Sequence, residues 1–336
     1  MPCYHPRTIA LRWLPSENKY KVIWSPLADP DHEHINHEYD RLVQMPCGRC
    51  LGCLEQKAKE WAKRCQLEAV YYPFSSYFVT LTYENDYLHF ADIYMKNDPD
   101  YCVTMPSLCK LDLIDFIRSL RYNSSNPQPG LRFFGCGEYG PQTFRPHYHI
   151  LFFNLNLPTI GTSSPDLKPC LGSNDYFLSD FIGKHWNKGF HTIFPYSYGT
   201  GQYIAKYLVK DTMIENNSDL IDNREKPFLH MSRRPGIGRR YFDEHKEELL
   251  RYDSVTVPSD LGAFQTSMPD YFLRLIRGKD FVDEKFVDWL TIKACRSYSS
   301  ELNHDVILDR CGTDYSSYLK RAEELAVAQK KSRKNL

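Results

Sequence analysis

No Gly-x-x-x-x-Gly-Lys-Ser/Thr phosphate loop occurs in the 336 residues, so an ATP-driven helicase domain is not expected in this chain. No apolar run is long enough to span a membrane and no secretory signal peptide is recognisable, so neither a membrane nor an exported role is expected. Net charge is absent as well: Lys plus Arg and Asp plus Glu both count 42. A protein that coats nucleic acid relies on clustered cations to neutralise phosphates, and a balanced chain is a poor candidate for that task. A local basic groove in an enzyme stays open. No internal repeat is evident at the usual periods. Cysteine is plentiful, at 11, but without a signal peptide it points to a reducing compartment and to free or metal-bound thiols. Aromatic residues make up 14% of the chain, with Tyr dominant, which suits both core packing and base stacking. The length is ample for one large domain or a domain with appendages.

The stretch Phe144-Arg145-Pro146-His147-Tyr148-His149-Ile150-Leu151-Phe152-Phe153 reads as a strand, rich in aromatic and β-branched residues, with Pro146 at its start. Side chains alternate along a strand, so His147 and His149 share one face and Tyr148 takes the other. Upstream, Leu131 to Gly140 is a second strand-like run ending in glycines, and Gly140, Pro141 and Pro146 suit a hairpin loop. If that loop runs from Tyr139 to Pro146, Glu138 stands opposite His147 on the face of both histidines. One carboxylate and two imidazoles suit Mg²⁺ or Mn²⁺. A slip of one residue in register would send Glu138 to the wrong face.

Gly201 to Asp211 reads as a helix. Tyr203, Lys206 and Tyr207 fall at i, i+3 and i+4 and form one polar stripe, while Ile204 and Leu208 lie on an adjoining face suited to packing on a sheet. Near the start of the chain, Cys47-Gly48-Arg49-Cys50-Leu51-Gly52-Cys53 has the knuckle spacing of a zinc site. Three thiolates leave one ligand missing; Cys3, Cys65 and His5 are candidates, with Cys3 favoured because an N-terminal strand can pair beside the knuckle.

Taken in order, Thr8 to Leu14 and Lys19 to Trp24 are short strands, and residues 29 to 40 hold three histidines in a loop-like stretch. Leu54 to Val70 is a helix whose Lys57, Lys59, Lys63 and Arg64 either line a phosphate path or are simply solvated. Residues 77 to 83 form a strand, a polar loop follows, and Ser107 to Arg121 is a helix. After the His-bearing hairpin come a loop at 158 to 174, a helix near Tyr176 to Trp186 and a strand near Gly189 to Tyr196. Arg233, Arg234, Arg239 and Arg240 surround a Pro-Gly-x-Gly turn and are candidate phosphate contacts. From Tyr241 onward a mostly helical, charged extension is expected, ending in an irregular basic tail, Lys330 to Lys334. The order β-α-β-β-α-β-α suits an α+β fold, an antiparallel sheet with helices mainly on one face.

Three segments in this order, Phe78-Val79-Thr80-Leu81-Thr82-Tyr83, Arg145-Pro146-His147-Tyr148-His149 and Tyr203-x-x-Lys206-Tyr207, resemble the motifs of the HUH endonucleases that start rolling-circle DNA replication. The likeness is greatest to the replication initiators of small icosahedral single-stranded-DNA phages of the microvirus, gokushovirus-like type, and it covers roughly residues 45 to 240. The resemblance implies an HUH-type core over residues 73–240, between an N-terminal segment, 1–72, that carries the knuckle, and the extension, 241–336. It implies single-strand DNA nicking and rejoining through a 5′-phosphotyrosine. Tyr203 and Tyr207 would be alternating nucleophiles and Lys206 a stabiliser of charge. Glu138, His147 and His149 would hold Mg²⁺ or Mn²⁺; independently of the resemblance, the knuckle spacing points to one structural Zn²⁺ on Cys3, Cys47, Cys50 and Cys53. Arg145, Arg233, Arg234, Arg239 and Arg240 would contact DNA. The implied partners are the circular DNA origin and the helicase, single-strand-binding protein and polymerase in the cytoplasm of a bacterial host. A transposase or plasmid relaxase is the related alternative, and a non-catalytic zinc-knuckle nucleic-acid-binding protein the unrelated one.

Overall fold

The structure, a computed structural model, describes residues 3–17, 19–24, 41–123, 125–160, 164–170, 176–210, 219–259, 261–277, 292, 296, 302–310, 312 and 314–332. The histidine-bearing stretch at 29–40 lies outside them. The chain divides into two compact units, Met1–Lys57 with Lys293–Leu336, and Ala58–Ile292. No helix among the described residues is long and apolar enough to cross a membrane.

In the first unit β1 (Arg7–Leu14), β2 (Lys19–Trp24) and β3 (Arg41–Met45) make an antiparallel sheet in the order β2-β1-β3. The chain then enters α1 (Leu51–Ala69). The C-terminal helix, Tyr315–Ser332, is tied to the start of the chain by His5, whose Nε2 lies 2.9 Å from Glu323. Residues 330–332 are the last turn of that helix, so the expected irregular tail does not start at Lys330.

The second unit is built on β4 (Tyr77–Tyr83), β5 (His89–Met95), β6 (Asp98–Ser107), α2 (Lys110–Arg121), β7 (Arg132–Tyr139) and β8 (Pro146–Phe153). Short strands β9 (Thr159–Ile160), β10 (Ser164–Pro165), β11 (Lys168–Pro169) and β12 (Phe177–Leu178) lead to α3 (Asp180–His185), β13 (Gly189–Pro195) and α4 (Tyr198–Lys210). Then come β14 (Leu220–Asp222), β15 (Phe228–Met231), α5 (Arg239–Tyr252), β16 (Ser254–Ser259), β17 (Gly262–Ser267) and α6 (Asp270–Arg277). Seven strands form one antiparallel sheet in the order β11-β12-β13-β4-β8-β7-β15. Along the chain, β4-α2-β7-β8-α3-β13-α4 follows the expected alternation.

Strands β4 and β8 are central and apolar on both faces, which demands cover on both sides. Val79, Leu81, Tyr148, Ile150 and Phe152 pack with Leu113, Phe116 and Ile117 of α2 and with Phe181 and Ile182 of α3. Phe78, Leu151 and Phe153 pack with Cys65 of α1 and Ile204 of α4 on the opposite face. The helices therefore cover both faces rather than mainly one. Ile150, Leu151, Phe152 and Phe153 have no exposed surface, and each such burial contributes about 1.5–3 kcal/mol. The result is a rigid strand just beyond His149.

Four local expectations are corrected. The polar loop after β4 is largely a hairpin, β5 paired with β6 and joined by β14, whose alternating pairs such as Asp92 with Thr104 hide the strand pattern among charges. The expected helix from Tyr176 starts only at Asp180, where the Ser179 hydroxyl accepts from the Ile182 N–H at 3.2 Å and caps it. The C-terminal extension contains the hairpin β16–β17, because Val255 and Val257 alternate inward with Thr256 outward. On α1, Lys63 is buried and donates to Glu60 and to the Ser267 carbonyl. Arg64 is sandwiched between the rings of Trp61 and Tyr271, 3.9 Å from each. These two cations brace the interior and do not line a phosphate path.

Candidate active site

The turn between β7 and β8 sets the register. Tyr139 pairs with Pro146, and inside that pair the Gly140 N–H donates to the Arg145 carbonyl at 2.9 Å. The next pair is Glu138 with His147, and Cys136 stands opposite His149. On the other flank of β8, β4 places Thr82 opposite His147 and Thr80 opposite His149. The polar side chains Thr80, Glu138, His147 and His149 thus converge on the sheet face that α4 covers.

His149 is buried and held at both ring nitrogens: Nδ1 lies 3.0 Å from the Thr80 hydroxyl and Nε2 lies 3.1 Å from Glu138 Oε1. Glu138 itself is buried. Two donors in adjacent positions on an octahedral Mg²⁺ stand about 3 Å apart, given bonds of about 2.1 Å, so the Glu138–His149 spacing fits a shared ion. His147 is half-buried, and its Nδ1 is buried with no hydrogen-bond partner among the described residues. Burial pulls its pKa below 6.5, which keeps the imidazole neutral and able to donate a lone pair at pH 7. The two imidazole rings are 6.3 Å apart and near perpendicular. Among the described residues only the four cysteines Cys3, Cys47, Cys50 and Cys53, and the set His89, Cys109 and Asp112, bring their donor atoms mutually within 4.8 Å. Glu138, His147 and His149 are not among these sets, so their donor atoms do not all lie within 4.8 Å of one another.

Helix α4 supplies the tyrosine. Ile204 and Ala205 are buried against the sheet, which leaves Tyr203 on the rim at 47% exposure. The Tyr203 ring stands edge-on to His149, with centroids 5.8 Å apart, and 6.0 Å from Phe78. Lys206 and Tyr207 follow on the same helix, one turn on; their side chains lie outside the described residues. The sequence reading missed the part taken by Thr80. The signal was there, since Thr80 and Thr82 break the apolar pattern of β4 on the face of the histidines.

The expected arginines divide. Arg145 donates to the Tyr83 carbonyl at 2.6 and 3.1 Å and to Asn85 at 2.9 Å, which fastens the end of β4. Arg239 and Arg240 pair with Asp243 and Glu244 at 2.8 Å. Arg233 and Arg234 are exposed. Of the candidate fourth cysteine-site ligands, Cys3 lies with Cys47, Cys50 and Cys53, Cys65 is in the core and His5 faces Glu323. The His89–Cys109–Asp112 set is a hydrogen-bond hub: Asp112 accepts from Tyr83 at 2.6 Å, contacts His89 at 2.7 Å and lies 3.3 Å from Lys188.

The two histidines and the facing glutamate of the antiparallel sheet, with the neighbouring helical tyrosine, lie in a stretch that sequence comparison places in a known family. The chain belongs to the replication-associated protein ORF2/G2P family, whose model matches residues 76–212, the segment that holds all of these groups. It is 32% identical over 286 residues to the replication-associated protein ORF2 of Spiroplasma virus 4, covering 84% of this chain and 82% of that one. It is 26% identical over 227 residues to the replication-associated protein VP4 of Bdellovibrio phage phiMH2K, with 68% of this chain and 65% of that one covered. With the replication-associated protein ORF4 of Chlamydia phage 1 it shares 25% identity, over 72% of this chain and 56% of that one. No solved structure matches.

Proposed function

We propose that this protein initiates rolling-circle replication of a single-stranded-DNA phage, as an HUH-type enzyme that nicks and rejoins one DNA strand through tyrosine. The observation that carries the reading is the single sheet face on which Glu138 stands opposite His147, His149 touches Glu138, and the Tyr203 ring lies edge-on to His149. The phage origin of the three relatives supports the biological setting, a bacterial host cytoplasm. Glu138, His147 and His149 would hold Mg²⁺ or Mn²⁺, which when bound supplies positive charge to the non-bridging oxygens of the scissile phosphate.

The residues of the chain do the rest. The hydroxyl of the half-exposed Tyr203 attacks phosphorus in line; a phenolic O–P bond forms, the P–O3′ bond breaks, and the freed 3′-oxygen takes a proton from water. The phenolic proton leaves to solvent. Phenol is a weak nucleophile, with a pKa near 10, and Lys206 one turn on offsets the charge that develops on the phenolate and phosphate. Tyr207 is the second nucleophile, used when the strand held on Tyr203 has to be cut again and closed. Because a phosphodiester is retained throughout, rejoining needs no ATP, in keeping with a chain that has no phosphate loop. Thr80 fixes the orientation of His149 through Nδ1 and leaves Nε2 facing Glu138. Arg233 and Arg234 are exposed cations available to the DNA backbone. Helicase, single-strand-binding protein and polymerase of the host complete the reaction.

The test is incubation of the full chain with single-stranded oligonucleotides tiling the phage origin in Mn²⁺, followed by denaturing electrophoresis. One oligonucleotide is expected to give an SDS-resistant protein–DNA adduct that EDTA prevents. Binding without an adduct anywhere along the origin would overturn the catalytic reading.

A further inference from the structure

We propose that Cys3, Cys47, Cys50 and Cys53 form a closed tetrahedral Zn²⁺ site, structural in role and separate from the candidate active site. The four sulfurs lie within 4.8 Å of one another. Cys47 and Cys53 are 3.9 Å apart, and so are Cys3 and Cys50. Thiolates at about 2.3 Å from a tetrahedral zinc stand about 3.8 Å from each other. A disulfide needs a sulfur pair at about 2.0 Å, and all four thiols are free. A two-iron cluster would hold one thiolate pair well away from the other, so the mutual closeness of all four favours a single ion.

The surrounding backbone is suited to sulfur anions. The Tyr4 N–H donates to Cys50 Sγ at 3.3 Å and the Cys47 N–H to Cys3 Sγ at 3.2 Å. The N–H groups of Arg49 and Cys50 donate to Cys47 Sγ at 3.4 and 3.2 Å. Four thiolates on one Zn²⁺ leave a net negative charge, and donors aimed at sulfur spread it and orient the ligands. Gly48 makes this turn with φ +74°, where side-chain-bearing residues are strained. A Cβ there would meet nothing within 4 Å, so backbone conformation and not space calls for glycine. All four ligands come from the protein, which leaves no open position for substrate and marks the ion as structural. Its effect is to fasten residue 3 to the turn that opens α1, at the Arg7–Met45 end of the β1–β3 pair.

The experiment uses the full chain, expressed in zinc-supplemented medium and purified without chelator. Elemental analysis is expected to give about one zinc per chain, and X-ray absorption at the zinc edge four sulfur neighbours at about 2.3 Å. C47S and C53S should each lower bound zinc about tenfold or more, while C65S and C136S keep it. Should the cluster variants fail to fold, the wild type decides: mercurial titration of the native protein should release one zinc as four protected thiols react. A folded, zinc-free protein with these four thiols freely titratable overturns the proposal. So does iron in place of zinc, or a zinc shell containing nitrogen or oxygen. None of these outcomes bears on adduct formation at Tyr203, so this inference and the proposed function fail separately.

Discussion

At the scale of single residues, the candidate site depends on which nitrogen of each histidine is engaged. His149 is fixed between Thr80 and Glu138, whereas His147 keeps one buried nitrogen without a partner among the described residues. His147→Ala is therefore expected to abolish nicking with little loss of stability. His149→Ala should abolish nicking and also destabilise the chain by about 1–3 kcal/mol, because it removes a buried ring together with its hydrogen bonds to Thr80 and Glu138; urea denaturation alongside the adduct assay separates the two. Thr80→Val should raise the Mn²⁺ concentration needed for half-maximal nicking, with full activity regained at saturating metal. The pH profile carries a sign. On the proposed reading His147 has to be neutral to act as a donor, and burial holds its pKa below 6.5. Activity should thus persist as pH falls through 6.5 and be lost only at lower pH, read from single-turnover rates in Mn²⁺; an acid limb at or above 6.5 would count against His147 as a donor.

At the scale of elements, α4 sets the reach of the proposed nucleophiles, and the β4–β13 pair lies in the middle of the sheet. Tyr203 and Tyr207 are one turn apart, about 6 Å along the helix axis. Each single Tyr→Phe variant is expected to form an adduct on a simple oligonucleotide, the double variant none, and neither single variant should complete repeated rounds on a circular template. If Tyr203→Phe alone removes all adduct while Tyr207→Phe runs multiple rounds as wild type, Tyr207 is a packing residue. Gly189 opens β13 with φ +152°, and a Cβ there would stand 2.3–2.6 Å from the backbone of Thr82, Tyr83 and Glu84. Gly189→Ala should cost about 1–3 kcal/mol or more, measured by denaturation, because rigid backbone has to move.

At the scale of the whole molecule, charge is balanced, at 42 cations and 42 anions, and the exposed arginines expected to meet DNA are few. Non-specific binding to single strands should accordingly be weak, with a logarithmic salt slope shallower than about −4, the value for roughly six phosphates; fluorescence anisotropy between low and physiological salt reads it. What the sequence determined was the local chemistry. The turn signals between Tyr139 and Pro146 and the alternation of side chains along β8 gave the Glu138–His147 pairing once the loop bounds were assumed, and an N-terminal strand expected beside the knuckle made Cys3 the favoured fourth thiol. Short-range sterics and periodicity govern such features. Tertiary structure alone decided the rest. It turned Lys63 and Arg64 inward, made a hairpin of the charged stretch after β4, covered both sheet faces with helices and brought Thr80 and Tyr203 to the same imidazole. Those outcomes depend on which surfaces meet across long sequence separations, and burial can outweigh local polarity wherever a partner surface supplies the missing contacts.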